Sequence, residues 1–260
     1  MYCSNCNSYG HSNKKCSKPI NSIGIICKNK NKIVLVNRKY SHYYIKLLNF
    51  NFSIHETEYI KTLIQGLTQY EYTLIKNYHY DLLWKMITIP FLINSNDNTI
   101  NKTNFSSKKY RYNKLLNGYT INNTYIKFEN IFKETDHVKY PNWELPKGKR
   151  IAYEADIYTA LREFKEETGV DNHILLEEEN YNDIVFYGWD SLSYSHRFYV
   201  YETDKMLNLY SNSMNYVQSS EINKCGWYSL EDIKSKKMFE GMCSQQYKKT
   251  IDMLEKIVNT

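Results

Sequence analysis

Apolar residues follow two different periods along this chain, and each period predicts a different kind of element. Two β-branched runs at residues 23–27 and 33–36 are joined by a Lys/Asn turn, a pattern typical of a β-hairpin. Residues 50–93 carry apolar side chains at helical spacing and are predicted to be helical. From Val138 onward, short strand-like runs alternate with two or three helices, which predicts an α/β region.

Residues 94–124 lie between these regions and have a different composition. They are rich in Asn, Ser, Thr and Lys, and they interleave cations with aromatic rings. This mixture is typical of a nucleic-acid surface, but a solvated loop explains it equally well. If the first interpretation holds, Lys108, Lys109 and Arg111 are the candidates for contact with phosphates.

Charge is distributed unevenly along the chain. The 260 residues carry a net charge of +6, yet residues 1–50 hold nine Lys or Arg and no acid, while residues 129–260 hold 16 basic and 23 acidic side chains. The basic part suggests a surface for a polyanion, and the acidic part suggests a place for cations. Because only five of the basic residues are Arg and Asn is plentiful, coding bias accounts for part of the lysine.

The longest apolar stretch, residues 86–93, is interrupted by Thr88 and Pro90. The N-terminus has no basic segment followed by an apolar one. We therefore expect neither a membrane span nor a signal peptide, and a location in the cytoplasm.

Three cysteines and a histidine crowd into the first 16 residues with the spacing C-x2-C-x3-G-H-x4-C. Two thiolates separated by two residues can bind one ion from a tight turn, and a His and a third Cys complete a tetrahedral shell for Zn²⁺. A segment this short cannot form a hydrophobic core, so metal binding would supply its folding free energy. We predict a zinc site formed by Cys3, Cys6, His11 and Cys16.

This string resembles the zinc knuckle of retroviral nucleocapsid and cellular RNA-binding proteins. The resemblance implies contact with single-stranded nucleic acid, with Tyr2 and Tyr9 as candidates to stack on bases. Some knuckles contact proteins instead, so the partner of this one stays open.

Residues 155–168 are predicted to form a helix that ends at Gly169. Glu163, Glu166 and Glu167 stand at positions i, i+3 and i+4, so their carboxylates share one side of that helix. Such like charges repel one another unless divalent cations lie between them, and carboxylate oxygens suit Mg²⁺ or Mn²⁺. In isolation, this spacing would more simply indicate a solvated acidic face.

The spacing is not isolated, because residues 148–170 fit the pattern G-x5-E-x7-R-E-U-x-E-E-x-G-U, where U is bulky and aliphatic; Phe164 is the one departure. The segment resembles the box of Nudix hydrolases. The resemblance implies an α/β/α sandwich and hydrolysis of a nucleoside diphosphate linked to another group. It also implies cation ligands and a structural brace: Gly148, Glu163, Glu166 and Glu167 for the cations, and Glu154 with Arg162 for the brace.

Residues 143–149 resemble the W-x-(F/L)-P-K-G-K run of mRNA-decapping Nudix enzymes, cellular ones and those of poxviruses and large cytoplasmic DNA viruses. Within this run, Lys147 and Lys149 are candidates to contact a polyphosphate chain, with solvated loop lysines as the alternative. The run favours decapping over hydrolysis of diphosphoinositol polyphosphates.

A later segment, E-I-x4-W-x3-E/D, resembles the part of Nudix enzymes that supplies a general base. The resemblance assigns that role to Glu221, next to Glu163 and Glu167 as the other catalytic residues, while Glu202 and Glu231 are alternatives for the base.

Two further side-chain pairs are given structural roles. His196 and Arg197 lie in an alternating run and are predicted to lie on the outer face of a strand, and a contact with RNA or phosphate stays open as the alternative. Ser229 and Asp232 are predicted to cap the next helix.

Together these features predict an α/β protein with three parts. Residues 1–18 form the knuckle, residues 19–49 and 137–260 form the Nudix domain, and residues 50–136 form a helical, basic insertion. The expected activity is cleavage of the cap pyrophosphate of capped RNA, giving 7-methyl-GDP and 5′-monophosphate RNA, with Mg²⁺ or Mn²⁺ and Zn²⁺ bound.

We expect no membrane partner, and a host-cytoplasmic location if the protein is viral. Two rivals stay open: a Nudix hydrolase of diphosphoinositol polyphosphates or dinucleotides, and a non-catalytic RNA-binding protein.

Overall fold

The computed structural model describes residues 1–94, 102–134, 136–139, 143–170, 176–177, 179–188, 190–209 and 221–259. The strands are β1 (Tyr2–Cys3), β2 (Ser8–Tyr9), β3 (Ile20–Asn29), β4 (Lys32–Arg38), β5 (Tyr119–Ile121), β6 (Thr124–Ile126), β7 (Trp143–Glu144), β8 (Lys147–Gly148), β9 (Tyr181–Tyr187), β10 (Ser193–Glu202) and β11 (Ile222–Ser229). The helices are α1 (His42–Asn49), α2 (Thr57–Gln65), α3 (Gln69–Asn77), α4 (Tyr80–Asn94), α5 (Lys102–Asn117), α6 (Phe128–Lys133), α7 (Asp156–Thr168), α8 (Leu230–Ser235) and α9 (Ser244–Val258).

The chain divides into two compact units. The first unit consists of Met1–Arg38 and Asn142–Thr260, and the second of Lys39–Pro141. None of the helices in the described ranges combines the length and the apolarity needed to cross a bilayer.

A seven-stranded sheet forms the centre of the first unit. Its main strand order is β11-β4-β3-β10-β9, and β7 and β8 pair with β4 and β3. The β3–β10 pair is parallel, whereas β3 and β4 form the predicted antiparallel hairpin. The short strands bring Glu144 opposite Val36 and Gly148 opposite Ile23. Residues far apart in the sequence therefore meet at this part of the sheet.

Helices cover both faces of this sheet. On one face, Phe164 of α7 packs in a core with Ile25 of β3. On the other face, Leu254 of α9 packs with Ile26 and Leu35. The predicted α/β/α sandwich is confirmed, and the apolar run in β3 is nearly continuous because both of its faces are buried.

The predicted helix cap in this unit is also confirmed. Ser229 is the N-cap of α8, and its hydroxyl accepts a hydrogen bond from the main-chain N–H of Asp232 at 3.1 Å. The Asp232 carboxylate in turn accepts from the main-chain N–H of Ser229 at 3.3 Å, which completes a capping box.

The second unit packs α1 to α6 and the β5–β6 hairpin around its own core, which includes Tyr44, Leu63 and Leu83. The helical prediction for residues 50–93 is confirmed by α2, α3 and α4. The interpretation of residues 94–124 as a solvated loop is wrong, because α5 occupies much of this segment and packs Tyr112 into the core.

The bounds of the second unit differ from the expected insertion at residues 50–136. Tyr44 of α1 is fully buried in the core of Lys39–Pro141, so α1 belongs to this unit. At the other end, the main-chain N–H of Gln69 donates to the carbonyl of Val138 at 2.9 Å. Packing and main-chain hydrogen bonds thus extend the unit in both directions.

Candidate active site

The catalytic candidates stand on α7, whose limits follow from its sequence. Asp156 occupies the first turn, and the helix ends at Gly169, which has a φ of 71° in the left-handed region that favours glycine. Phe164, the departure from the Nudix pattern, is fully buried between the helix and the sheet. Phe164 is therefore a packing residue. Its aromatic ring does not change the side of the helix that the three glutamates share.

The predicted brace residues come together as a bidentate ion pair. Arg162 Nε donates to Glu154 Oε1 at 2.9 Å, and Arg162 Nη2 donates to Glu154 Oε2 at 2.9 Å. The same Nη2 donates to the carbonyl of Lys149 at 3.0 Å. Burial acts to raise the pKa of Glu154, but hydrogen bonds from Arg162 and Thr159 hold it below its usual value. The loop before α7 is thereby fixed to the helix.

Arg162 also reaches two of the predicted cation ligands. Its Nη1 lies 2.7 Å from Glu163 Oε1 and 3.2 Å from Glu166 Oε2. Burial raises the pKa of Glu163 although Arg162 opposes this effect. A Cβ at Gly148 would lie 2.0 Å from the carboxyl carbon of Glu163, so only glycine lets the loop backbone approach this carboxylate so closely.

Glu167 is the most buried of the three glutamates. Its side chain is 4% exposed, against 13% for Glu163 and 38% for Glu166. The main-chain N–H of Lys147 donates to Glu167 Oε2 at 2.9 Å, and Arg38 Nη2 lies 3.4 Å from Oε1. Burial nevertheless raises the pKa of Glu167 to about 8. The hydrogen bond from Lys147 and the contact with Arg38 therefore do not fully offset the cost of burying the ionised form of Glu167.

Sequence reasoning did not identify Arg38 and Glu144 as part of this site. The guanidinium of Arg38 forms an ion pair with Glu144 and lies 3.6 Å from Glu221 Oε2. Burial acts to raise the pKa of Glu144, but Arg38 and Lys147 lower it well below its usual value. The one feature of the sequence that could have indicated Arg38 is its position shortly after the apolar run at residues 33–36.

The donor set of this site fits a hard divalent cation. It consists of carboxylate oxygens beside a loop whose backbone approaches Glu163 at Gly148. Burial raises the pKa of Glu163 and of Glu167, and a bound cation would favour their ionised forms. Mg²⁺ and Mn²⁺ prefer such oxygen ligands. Glu163, Glu166 and Glu167 are therefore the residues that would hold these ions.

A family model described as NUDIX domain matches residues 132–244. The chain contains a Nudix domain. With this domain, the chain is a Nudix pyrophosphohydrolase. Helix α7 lies entirely within the matched residues.

Relatives of this Nudix protein include two viral proteins. The mRNA-decapping protein g5R of African swine fever virus is 23% identical over 223 residues, which cover 82% of this chain and 86% of the relative. The putative mRNA-decapping protein of Acanthamoeba polyphaga mimivirus is 26% identical over 226 residues, 79% of this chain and 61% of the relative. A solved C. elegans Ap4A hydrolase is 19% identical over 45% of this chain and 74% of its own, and its TM-score of 0.34 adds nothing to the assignment.

The two lysines predicted to contact polyphosphate differ in their surroundings. Lys147 of the Nudix domain is buried, and its Nζ lies 2.5 Å from Glu144 Oε2. Lys149 is exposed. Lys147 thus contributes its backbone N–H and its charge to the interior of the site, whereas Lys149 presents its charge at the surface of the loop.

The placement of His196 on an outer face is wrong. Its ring is 5% exposed and packs edge-to-face with Phe186, with ring centroids 4.8 Å apart. Burial lowers the pKa of His196 to about 3, so the imidazole is neutral. The alternating run does predict a strand, but a neutral imidazole packs like an aromatic ring, so His196 faces the interior. Its Nδ1 is buried without a hydrogen-bond partner among the described residues.

The N-terminal segment brings its four predicted ligands together. Within the described residues, Cys3, Cys6, His11 and Cys16 are the one group of potential metal ligands whose ligand atoms all lie within 4.8 Å of one another. Cys6 Sγ lies 3.3 Å from His11 Nε2, and all of these cysteines are free of disulfides. Three thiols and an imidazole form a donor set that fits Zn²⁺. Beside them, Tyr9 is 73% exposed.

The three cations predicted to contact RNA from the second unit all have partners inside that unit. Lys108 is buried, with Nζ 4.7 Å from the ring centroid of Trp84. Lys109 Nζ lies 2.5 Å from Asp81 Oδ2. Arg111 Nη1 donates to the carbonyl of Phe52 at 2.7 Å. Their contact with RNA stays a prediction.

Proposed function

We propose that this Nudix enzyme hydrolyses the 5′ cap pyrophosphate of mRNA and releases 7-methyl-GDP and 5′-monophosphate RNA. The observation that carries the proposal is the likeness to viral decapping proteins, which covers 82% of the chain for g5R and so extends beyond the Nudix domain. The complete set of glutamates on α7 supports catalysis rather than RNA binding alone. We place the activity in the cytoplasm of the host cell.

Cation binding is assigned to Glu163, Glu166 and Glu167, with the carbonyl of Gly148 as a further ligand. Divalent cations, when bound, neutralise the charge of the pyrophosphate and lower the pKa of a water molecule. The ion pairs of Arg162 with Glu163 and Glu166 keep these side chains on the loop side of α7. The brace formed with Glu154 holds the loop itself in register with the helix.

Glu221 is the proposed general base. Its side chain is 33% exposed, so it is open to water, and Arg38 Nη1 lies 3.6 Å from its Oε2. Its charge also contributes to the raised pKa of Glu163, which indicates that the two carboxylates are electrostatically coupled. Hydrolysis adds one water across one phosphoanhydride bond: the water oxygen bonds to phosphorus, its proton passes to Glu221, and the bridging oxygen leaves with the other phosphate.

RNA contact is proposed at the loop and at the knuckle. Lys149 is the exposed cation nearest in sequence to Gly148, which supports assigning it the contact with the phosphate chain. Tyr9 offers an exposed ring for stacking on an unpaired base.

On the second unit, Lys108, Lys109 and Arg111 would each exchange an internal partner for a phosphate. We therefore expect the loss of that partner to reduce what each of them contributes to RNA affinity.

Incubation of the full chain with Mn²⁺ and cap-labelled RNA tests this proposal. We expect release of labelled 7-methyl-GDP, and its loss in Glu167→Gln. Glu240→Gln is the matched control, because Glu240 is an exposed carboxylate that has no role in the proposed site. An intact cap together with cleavage of a diphosphoinositol polyphosphate or a dinucleotide would assign a different substrate. Tight RNA binding without turnover of any of these would remove the enzymatic assignment.

A further inference from the structure

The loop of the Nudix domain that carries Gly148 is attached directly to the knuckle. Arg150 Nη1 donates to the carbonyl of Ser4 at 2.8 Å and lies 3.2 Å from the carbonyl of Asn5. Ser4 and Asn5 are the two residues between Cys3 and Cys6. The turn that would hold the zinc ion thus presents both of its carbonyls to one guanidinium.

The other side of the same guanidinium is attached to α7. Arg150 Nη2 forms an ion pair with Asp156, the first residue of that helix. The Arg150 side chain is 5% exposed, so these contacts are shielded from water. Arg197 Nη1 also lies 3.1 Å from Asp156 Oδ2. Arg150 therefore connects the Cys3–Cys6 turn with the start of the helix that carries the glutamates.

A second contact joins the knuckle to the loop. The rings of Tyr2 and Tyr153 are stacked, with centroids 4.2 Å apart and an interplanar angle of 26°. Tyr153 has a φ of 65°, a left-handed conformation that is unfavourable for an aromatic residue and needs support from its surroundings. Stacking on Tyr2 supplies such support one residue before Glu154, the acidic partner in the brace.

The shape of the Cys3–Cys6 turn depends on its metal ligands. The knuckle has no apolar core of its own beyond Cys3, so ligation is what would order its backbone. The side chain of Asn5 also holds this turn to β3, since its Nδ2 donates to the carbonyl of Pro19 at 2.9 Å and its Oδ1 accepts from the main-chain N–H of Asn21 at 2.8 Å. Zinc at the two flanking thiolates would fix the carbonyls of Ser4 and Asn5 further. Without zinc, Arg150 would lose fixed acceptors for a guanidinium that is buried.

We infer that zinc in the knuckle positions the cation-binding loop and helix of the Nudix domain, with Arg150 as the positioning residue. This inference rests on the proposed cation site at Glu163, Glu166 and Glu167. Zinc and Mn²⁺ then bind cooperatively although their ligands are separate. By thermodynamic reciprocity, saturation with Mn²⁺ strengthens zinc binding by the same factor as zinc strengthens Mn²⁺ binding.

The test measures Mn²⁺ binding to the full chain by electron paramagnetic resonance of the free ion, with zinc content determined on the same samples. We expect Cys16→Ser, which lacks one zinc ligand, to bind Mn²⁺ about 10-fold more weakly than the zinc-loaded protein. Arg150→Lys retains the charge, but its single nitrogen cannot take both the position of Nη1 at the two carbonyls and the position of Nη2 at Asp156. This variant should keep its zinc and still show the weaker Mn²⁺ binding.

Lys249→Arg is the matched control, because Lys249 also donates to a main-chain carbonyl, that of Val185, and has no role in the proposed site. It should leave Mn²⁺ binding unchanged, and circular dichroism verifies the fold of each variant. Equal Mn²⁺ affinity in the zinc-loaded protein, Cys16→Ser and Arg150→Lys would overturn the inference. Absence of Mn²⁺ binding by the zinc-loaded protein would instead refute the proposed Nudix cation site.

Discussion

Arg38 Nη2 lies 3.4 Å from Oε1 of Glu167, so a guanidinium at the end of β4 faces the most buried of the three candidate carboxylates on α7. The same guanidinium contacts Glu144 and approaches Glu221. Three carboxylates from three separate parts of the chain thus share one cation. Their repulsion is offset without a metal, and the proposed general base is kept near the cation ligands.

Replacement of Arg38 by Met should lower the stability of the metal-free protein. The change leaves Glu144 and Glu167 without their shared cation, and Glu167 is 4% exposed while Arg38 itself is 27% exposed. Removal of one partner from a largely buried ion pair costs up to about 3 kcal/mol. Urea unfolding measures the difference in the free energy of unfolding. Lys234→Met is the control: its pair with Glu255 is about half exposed at both side chains (45% and 42%), so we expect a much smaller loss than in Arg38→Met. Equal losses in the two variants would contradict the role given to Arg38.

Glu167→Gln should abolish the stabilisation of the protein by Mn²⁺. A ligand at 100 times its Kd stabilises the folded state by about 2.7 kcal/mol, which a thermal melt detects readily. Because burial already disfavours the ionised form of Glu167, the metal-free variant should be no less stable than the wild type. Glu240→Gln, a change at an exposed carboxylate outside the site, should retain the full rise in Tm with Mn²⁺. A rise of the same size in Glu167→Gln would show that the ion binds elsewhere.

The residues of α7 were predictable because their spacing is local: a helix places positions i, i+3 and i+4 on one side whatever the rest of the chain does. Arg38 was not predictable in this way, since its contact with Glu167 spans 129 residues and its contact with Glu144 depends on how β4 and β7 pair. The alternation around His196 correctly predicted a strand, but it did not predict that the imidazole ring faces the interior. Which face of a strand is buried is decided by the helices that pack on it.

Composition was a weaker guide in the second unit. The cations of α5 had the appearance of a solvated or RNA-binding segment, yet Lys108 lies over Trp84 and Lys109 pairs with Asp81. Long basic side chains can cover apolar surface with their methylene groups while their charges find partners nearby. Counts of Lys and Arg therefore do not distinguish a surface for a polyanion from one that is packed.

Gly148→Ala should remove Mn²⁺ binding while the fold is retained. The added Cβ would lie 2.0 Å from the carboxyl carbon of Glu163, so this carboxylate has to move. Gly226→Ala is the control, because its Cβ would meet the ring of Tyr228 at 3.0 Å or more and can be accommodated by a small shift of that side chain. Titration with Mn²⁺ compares the two variants. Unchanged affinity in Gly148→Ala would exclude Glu163 as an essential ligand.

Tyr9→Ala and Lys149→Ala should weaken RNA binding in two distinguishable ways. Loss of a stacking ring costs about 1–3 kcal/mol for one base and removes no charge, so the salt dependence of binding should stay unchanged in Tyr9→Ala. Loss of a phosphate contact should lower the slope of log K against log salt by about 1 in Lys149→Ala. Fluorescence anisotropy with capped single-stranded RNA at several salt concentrations measures both quantities.

Tyr187→Ala, which removes a ring of similar exposure (62%) at the end of β9, controls for a nonspecific loss of aromatic surface. If Tyr9→Ala binds RNA as the wild type does and retains its zinc, the knuckle serves the Nudix loop through Arg150 and does not contact RNA through this ring.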